Sequence, residues 1–336
     1  MRAEDRILFA VTRQDLLDEH REAVRELAQG TTVRWDEIAD LAEGHGVAPI
    51  AGHNLRQIVE IPAGVAGRLE RAFFENALVK AQEAERLARG IDRLREAGFQ
   101  VMLLKGAALD LLVYREPWVV ASRDFDLLLR IEPGRRLSPD EERVRDSLYR
   151  SGVECDVGRH HDLDMNRVLP IRYERIWAAA RPVQMRGAEA FVMAPEDLLV
   201  SLCINSCRKR FFRLKSLFDI AETSRRLPLD WSRLADHARE DRCEGIVYGA
   251  LLAASLTLGA QIPAGILDEL GVPRVRARLL RGLVARHLRR GSLAPPPRPW
   301  LPYASYRWGQ AVGSLRVALT HETPAHHRPA LPAVRY

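Results

Sequence analysis

Lysine is nearly absent from this sequence. Of 51 basic residues only Lys80, Lys105, Lys209 and Lys215 are lysine, and the other 47 are arginine. Arginine is therefore the default cation, and each retained lysine invites a local reason. Cysteine is scarce too. Four cysteines in 336 residues, with no Cys-x-x-Cys, exclude a disulfide framework. Cys203 and Cys207 stand one helical turn apart on an apolar pattern and read as core rather than as a metal or redox pair. Long clean apolar runs are missing. The most apolar stretch, 250–267, is broken by Gln261 and Pro263 and falls short of the ~20 residues a membrane span needs. Met1 to Glu19 alternates charged and apolar residues without the apolar core of a signal peptide, so the expected location is the cytoplasm. The absence of any G-x-x-x-x-G-K-[S/T] loop argues against kinase chemistry of the P-loop type. There is no internal repeat, and low complexity is confined to Pro295-Pro296-Pro297.

What is present is ordinary for a globular chain, 47% hydrophobic and 29% charged, which excludes disorder along its whole length. The charge is unevenly spread. Residues 271–336 carry twelve Arg against one Glu, a balance of +11, so the net +6 leaves about −5 on residues 1–270. A tail of this kind suits an acidic partner or packing on the rest of the chain. Aromatics are sparse among its arginines and no nucleic-acid module is recognisable, so nucleic acid is the less favoured partner. Trp300, Tyr303, Tyr306 and Trp308 would anchor a docked arm.

The periodicity divides the chain into four parts. Residues 1–98 form an N-terminal helical block, with a run opening at Thr12-Arg13-Gln14-Asp15 and stopped by Gly30, a short helix from Trp35 to Ala42, and a long helix from Gly67 to Ala97. Residues 99–170 form a small α/β core. Phe99 to Leu104 is a buried strand, Ala107 to Tyr114 a helix, and Asp124 to Leu129 a second buried strand. Pro139 to Ser151 is a helix with Ser138 as N-cap, and Gly152 to Asn166 a third, partly exposed strand region. Residues 171–291 form a C-terminal helical domain, with helices over Arg172–Ala180, Pro195–Arg226, Trp231–Ala260 and Val275–Arg290. A Pro/Arg-rich tail occupies 292–336. The fold class is α+β and helix-rich.

The chemistry concentrates in the α/β core. Lys105-Gly106 stands where the first strand meets a helix, and Asp124-Phe125-Asp126 opens the second strand. Residues i and i+2 of a strand share a face, so Asp124 and Asp126 project together with Cα atoms ~6.5–7 Å apart. Two such carboxylates repel each other unless a cation relieves them, and hard oxygen ligands suit Mg²⁺ or Mn²⁺. Metal pairs of this type support phosphoryl-type displacements. The glycine lets backbone N–H groups approach an anion at the helix start, and Lys105 supplies a point charge beside it. His160-His161 lacks companion ligands at zinc spacing. Lys215 and Asp219, one helical turn apart, are either an ion pair or a nucleotide- or acceptor-binding pair.

The stretch Val101-Met102-Leu103-Leu104-Lys105-Gly106-Ala107-Ala108-Leu109-Asp110, Tyr114, and Arg123-Asp124-Phe125-Asp126-Leu127-Leu128-Leu129 resembles an uncharacterised nucleotidyltransferase family of the polymerase-beta-like superfamily. Trp35 to Pro49, with its His45-Gly46-Val47 turn, is similar to the family's N-terminal helix. Pro195 to Cys203 and Arg213 to Ala221 resemble its C-terminal helices, so the likeness spans about residues 30–240. Three departures stand out. Val120 replaces an Arg that precedes the carboxylate pair, with Arg123 adjacent to the pair instead. Asp162-Leu163-Asp164-Met165 lacks the family's His and Trp. Asn205 stands where a His is usual.

The resemblance implies a mixed-sheet nucleotidyltransferase core and Mg²⁺-dependent transfer of a nucleoside monophosphate from an NTP, such as ATP, with release of pyrophosphate. Asp124 and Asp126 would hold the metals. Asp162, or Asp164 beside it, would be the third carboxylate, ahead of Glu154 and Asp156. Lys105, Gly106 and Arg123, together with Lys215 and Asp219, would bind the nucleotide. The acceptor stays open among a sugar, a peptide, a protein and an RNA end. The other reading is a catalytically degenerate domain that binds a partner through its helical block and basic tail.

Overall fold

The computed structural model describes residues 1–121, 125–131, 135, 137–150, 153–157, 169–209, 211 and 213–289. Five helices come first: α1 (Ala3–Val11), α2 (Asp18–Gly30), α3 (Trp35–His45), α4 (Ala48–Leu55) and the 34-residue α5 (Ala63–Glu96). The core follows with β1 (Val101–Leu103), α6 (Lys105–Leu112), β2 (Phe125–Leu129), α7 (Pro139–Arg150) and β3 (Val153–Val157). After α8 (Tyr173–Ala178) come β4 (Arg181–Met185) and β5 (Ala188–Val192). The chain then runs through α9 (Pro195–Arg208), α10 (Leu214–Arg226), α11 (Trp231–Glu240), α12 (Glu244–Leu258), α13 (Ile266–Glu269) and α14 (Arg274–Arg289). Among the described residues no helix is long and apolar enough to cross a membrane.

The strands form one mixed five-stranded sheet in the order β3-β2-β1-β5-β4. β1 is central. It runs antiparallel to β2, with Leu103 opposite Leu127, and parallel to β5, with Met102 opposite Phe191. β2 runs parallel to β3. Every residue of β1 and β2 is buried, which explains why both read as unbroken apolar runs rather than as alternating ones. The start of α7 is closed as its sequence predicts. The Ser138 hydroxyl accepts from the Glu141 amide at 3.3 Å, and the Glu141 carboxylate accepts from the Ser138 amide at 2.7 Å, a reciprocal capping box.

Three expectations change. Thr12 does not open a helix. Its amide and hydroxyl both donate back to the Leu8 carbonyl, at 3.1 and 2.6 Å, and so close α1. Asn54 then fixes the segment by donating to the Val11 and Arg13 carbonyls, both at 2.8 Å, and α2 begins only at Asp18. The strand-bearing core also extends past residue 170. Arg186 and Gly187, with φ of 48° and 89°, form a two-residue turn that folds β4 onto β5 and adds both to the sheet. Finally, two expected helices are each divided: 195–226 into α9, ending at Arg208, and α10, beginning at Leu214, and 231–260 into α11 and α12. Arg242 takes φ 53° and the Cys243 amide bonds to the Ala238 carbonyl, which ends α11. Asp241 at this break accepts from the Arg172 amide and from the Arg175 guanidinium, at 3.1 and 2.7 Å.

Candidate active site

The lysine motif and the carboxylate motif touch. β1 ends at Leu103, and the next amide, Leu104, donates to the Asp126 carbonyl at 3.0 Å. Lys105 then opens α6, and its Nζ lies 2.9 Å from Asp126 Oδ1. The antiparallel register of β1 and β2 brings them together across 21 residues of sequence. Asp126 is buried, and the cation beside it offsets the cost of its charge. The left-handed conformation at this turn belongs to Lys105, at φ 45°, and not to Gly106, which is buried within α6. A non-glycine residue held there is a local strain of the kind that clusters at functional sites.

Two further lysine–aspartate pairs involve α5, α6 and α10. Lys80 of α5 is fully enclosed, and its Nζ lies 2.7 Å from Asp110 Oδ2 on α6. Asp110 Oδ1 is buried without a hydrogen-bond partner. Burial pushes the Asp110 carboxyl above the usual range, against the pull of Lys80. On α10, Lys215 Nζ lies 3.0 Å from Asp219 Oδ2, and the Tyr114 hydroxyl donates to Asp219 Oδ1. Burial, reinforced by the Asp219 charge, holds the Tyr114 phenol protonated well beyond its usual value. The Lys215 and Asp219 charges also act on Asp110, which ties the pairs into one field. Three of the four lysines of this chain are thus each paired with an aspartate. Lys80, Asp110 and the role of Tyr114 were not foreseen from the sequence. The rarity of lysine was the available signal.

The approach to β2 is pinned from two sides. Asn76 of α5 donates to the Trp118 and Val120 carbonyls, at 2.8 and 3.2 Å, and the Ala121 amide donates to the Gly46 carbonyl at 3.2 Å. Val120, at the position of the family's arginine, is fully enclosed in the core. The turn after α3 meets α10 directly, because His45 Nδ1 accepts from the Leu214 amide at 3.2 Å. Gly46 takes φ 73°, and a Cβ there would lie 3.3 Å from Arg213 Nη2, 3.8 Å from Lys215 Cδ and 3.9 Å from the Ala121 carbonyl oxygen. Beside this junction lies a cleft of about 850 Å³ lined by Gly46, Arg68, Arg71, Asn76, Glu83 and Ala121, among others. That volume suits a nucleotide-sized ligand.

The residues expected at the site are therefore placed as follows. Lys105, Gly106 and Asp126 come together at the β1–α6 turn, and Lys215 and Asp219 are paired with each other on α10. Arg123, Asp124, Asp162 and Asp164 lie outside the described residues. Among the described residues no three His, Cys, Asp or Glu side chains gather as a metal site. Of the expected metal ligands only Asp126 is described, and its carboxylate is a hard oxygen donor of the kind Mg²⁺ takes. A family model described as an uncharacterised nucleotidyltransferase matches residues 31–259. No curated relative and no solved structure matches the chain.

Proposed function

Because the chain belongs to this family of uncharacterised nucleotidyltransferases, we propose that it moves a nucleoside monophosphate from an NTP to an acceptor with the help of Mg²⁺ or Mn²⁺. In that reaction an acceptor oxygen attacks the α-phosphorus, the bond to the β-phosphate breaks, and pyrophosphate leaves. Asp124 and Asp126 hold the metal, with Asp162 or Asp164 as the third carboxylate. The bound metal would offset charge on the phosphate oxygens. Lys105, paired with Asp126, attracts the phosphate chain to the end of β1, beside the Gly106 turn, with Arg123 as a second donor. Lys215 and Asp219 shape the far wall of the nucleotide site. The observation that carries this reading is the 2.9 Å contact between Lys105 and Asp126, which unites the phosphate-binding and metal-binding motifs at one sheet end.

The test is incubation of the protein with each labelled NTP, Mg²⁺ and cell extract, followed by identification of the fraction that takes up label. Label transfer should need the divalent metal, and the Asp124→Asn/Asp126→Asn double variant should fall to background while keeping its fold. Full activity and metal affinity in that variant would refute the reading. A wild-type protein that binds no NTP but binds a protein or RNA tightly would instead be a degenerate scaffold. The departures at Asp162–Met165 favour that second reading.

A further inference from the structure

The N-cap and first turn of α10 hold two cations in different electrostatic states. Lys215 is neutralised by Asp219 at 3.0 Å, and Asp219 is held in place by Tyr114. Arg213 is half-buried, and its Nε is buried without a hydrogen bond. Among the described residues it has no carboxylate within ion-pairing distance, in contrast to Arg175 and Arg226. Arg175 holds Asp197, Glu240 and Asp241, and Arg226 holds Asp15 and Glu222. A guanidinium taken partly out of water without an acceptor is unfavourable unless an anion joins it.

The surroundings of Arg213 indicate which anion. Its Nη2 lies over Gly46, where a side chain would displace it, and Gly46 and Ala121 both line the cleft. The acidic wall at that end does not compete, because Glu43 is engaged by Arg68 at 2.8 Å. A planar fork suits phosphate oxygens taken two at a time.

We propose that Arg213 binds the terminal phosphates of the donor nucleotide. Lys105 then serves the end of the phosphate chain nearest Asp126, and Lys215 acts through Asp219 and Tyr114 to fix the α10 wall. The assignment deepens the nucleotidyl-transfer reading and rests on it.

Calorimetry on the full chain tests it with three probes: inorganic tripolyphosphate, the NTP that wild type binds best, and the matching nucleoside monophosphate. One lost charge-assisted hydrogen bond is worth about tenfold or more in affinity. Arg213→Ala should weaken tripolyphosphate and NTP binding by at least that factor and leave the monophosphate unchanged. Arg213→Lys should fall between the two, and it keeps the test open if the alanine variant does not fold. Equal losses for all three probes would mark Arg213 as merely structural and overturn the proposal, as would unchanged NTP binding. If wild type binds tripolyphosphate but no NTP, and Arg213→Ala removes that binding, the anion site stands and nucleotidyl transfer falls. If wild type binds neither, both fall.

Discussion

Lys80 and Asp110 illustrate how a single pair is set by its neighbours. Both are enclosed between α5 and α6, 30 residues apart in sequence, with one bond of 2.7 Å between them. Lys80→Ala would leave a buried carboxylate unpaired and should cost about 3–5 kcal/mol of stability in urea unfolding. Replacing both partners, as Lys80→Met/Asp110→Leu, should be close to neutral. If the double variant is as unstable as the single one, packing rather than charge holds this contact. The pair also has a pH signature. Burial raises the Asp110 pKa, so the folded chain keeps this proton to higher pH than the unfolded chain does. Its contribution to stability is therefore full below the ordinary carboxylate value and is lost as pH rises through the folded value. Stability-versus-pH curves for the double variant should be flatter across that range than those of wild type.

At the scale of elements, glycines of two kinds make opposite predictions. Gly187 closes the β4–β5 hairpin at φ 89° with open space around a would-be Cβ, so Gly187→Ala should cost about 1 kcal/mol through backbone strain alone. Gly67 lies inside α5, with ordinary helical backbone and equally open space, so Gly67→Ala should add about 0.5–1 kcal/mol. Thermal melts of the two variants should shift in opposite directions. The same elements show what was legible in the chain. α5 is readable because its burial follows helical periodicity, β1 and β2 because they are unbroken apolar runs, and α7 because its cap lies within three residues. The hairpin is the less legible element: Arg186-Gly187 separates two short runs, and the alternating burial of Ala188, Ala190 and Val192 is its one periodic signal. Asp241 at the break before α12 is held by Arg175, 66 residues away, a contact that no local window contains. Site residues divide in the same way. Lys105 and Asp126 stand at strand ends where motif and geometry coincide. Asp110 and Arg213 acquire meaning only once α5 and α10 have packed against the core.

Across the whole molecule, one continuous hydrophobic core joins the N-terminal helices, the sheet and the C-terminal helices. Polar bonds cross the same boundaries. The Gln14 amide donates to the Val113 carbonyl at 3.2 Å and to Glu222 at 2.9 Å, and Tyr114 reaches Asp219. The helix α10 that carries Lys215 and Asp219 is thus braced against the opening segment of the chain. The scarcity of lysine has a practical consequence at this scale. Amine-reactive reagents meet only four side-chain targets besides the chain's own amino group, and these targets differ in access. Lys209 is exposed, the Lys105 and Lys215 side chains are 21% and 14% exposed, and that of Lys80 is 2% exposed. Acylation followed by peptide mass mapping should mark Lys209 first, Lys105 next and Lys80 last. Added NTP with Mg²⁺ should shield Lys105 while leaving Lys209 as an internal standard. A chain that has given up nearly all its lysines thereby turns a general protein stain into a footprint of its own candidate active site.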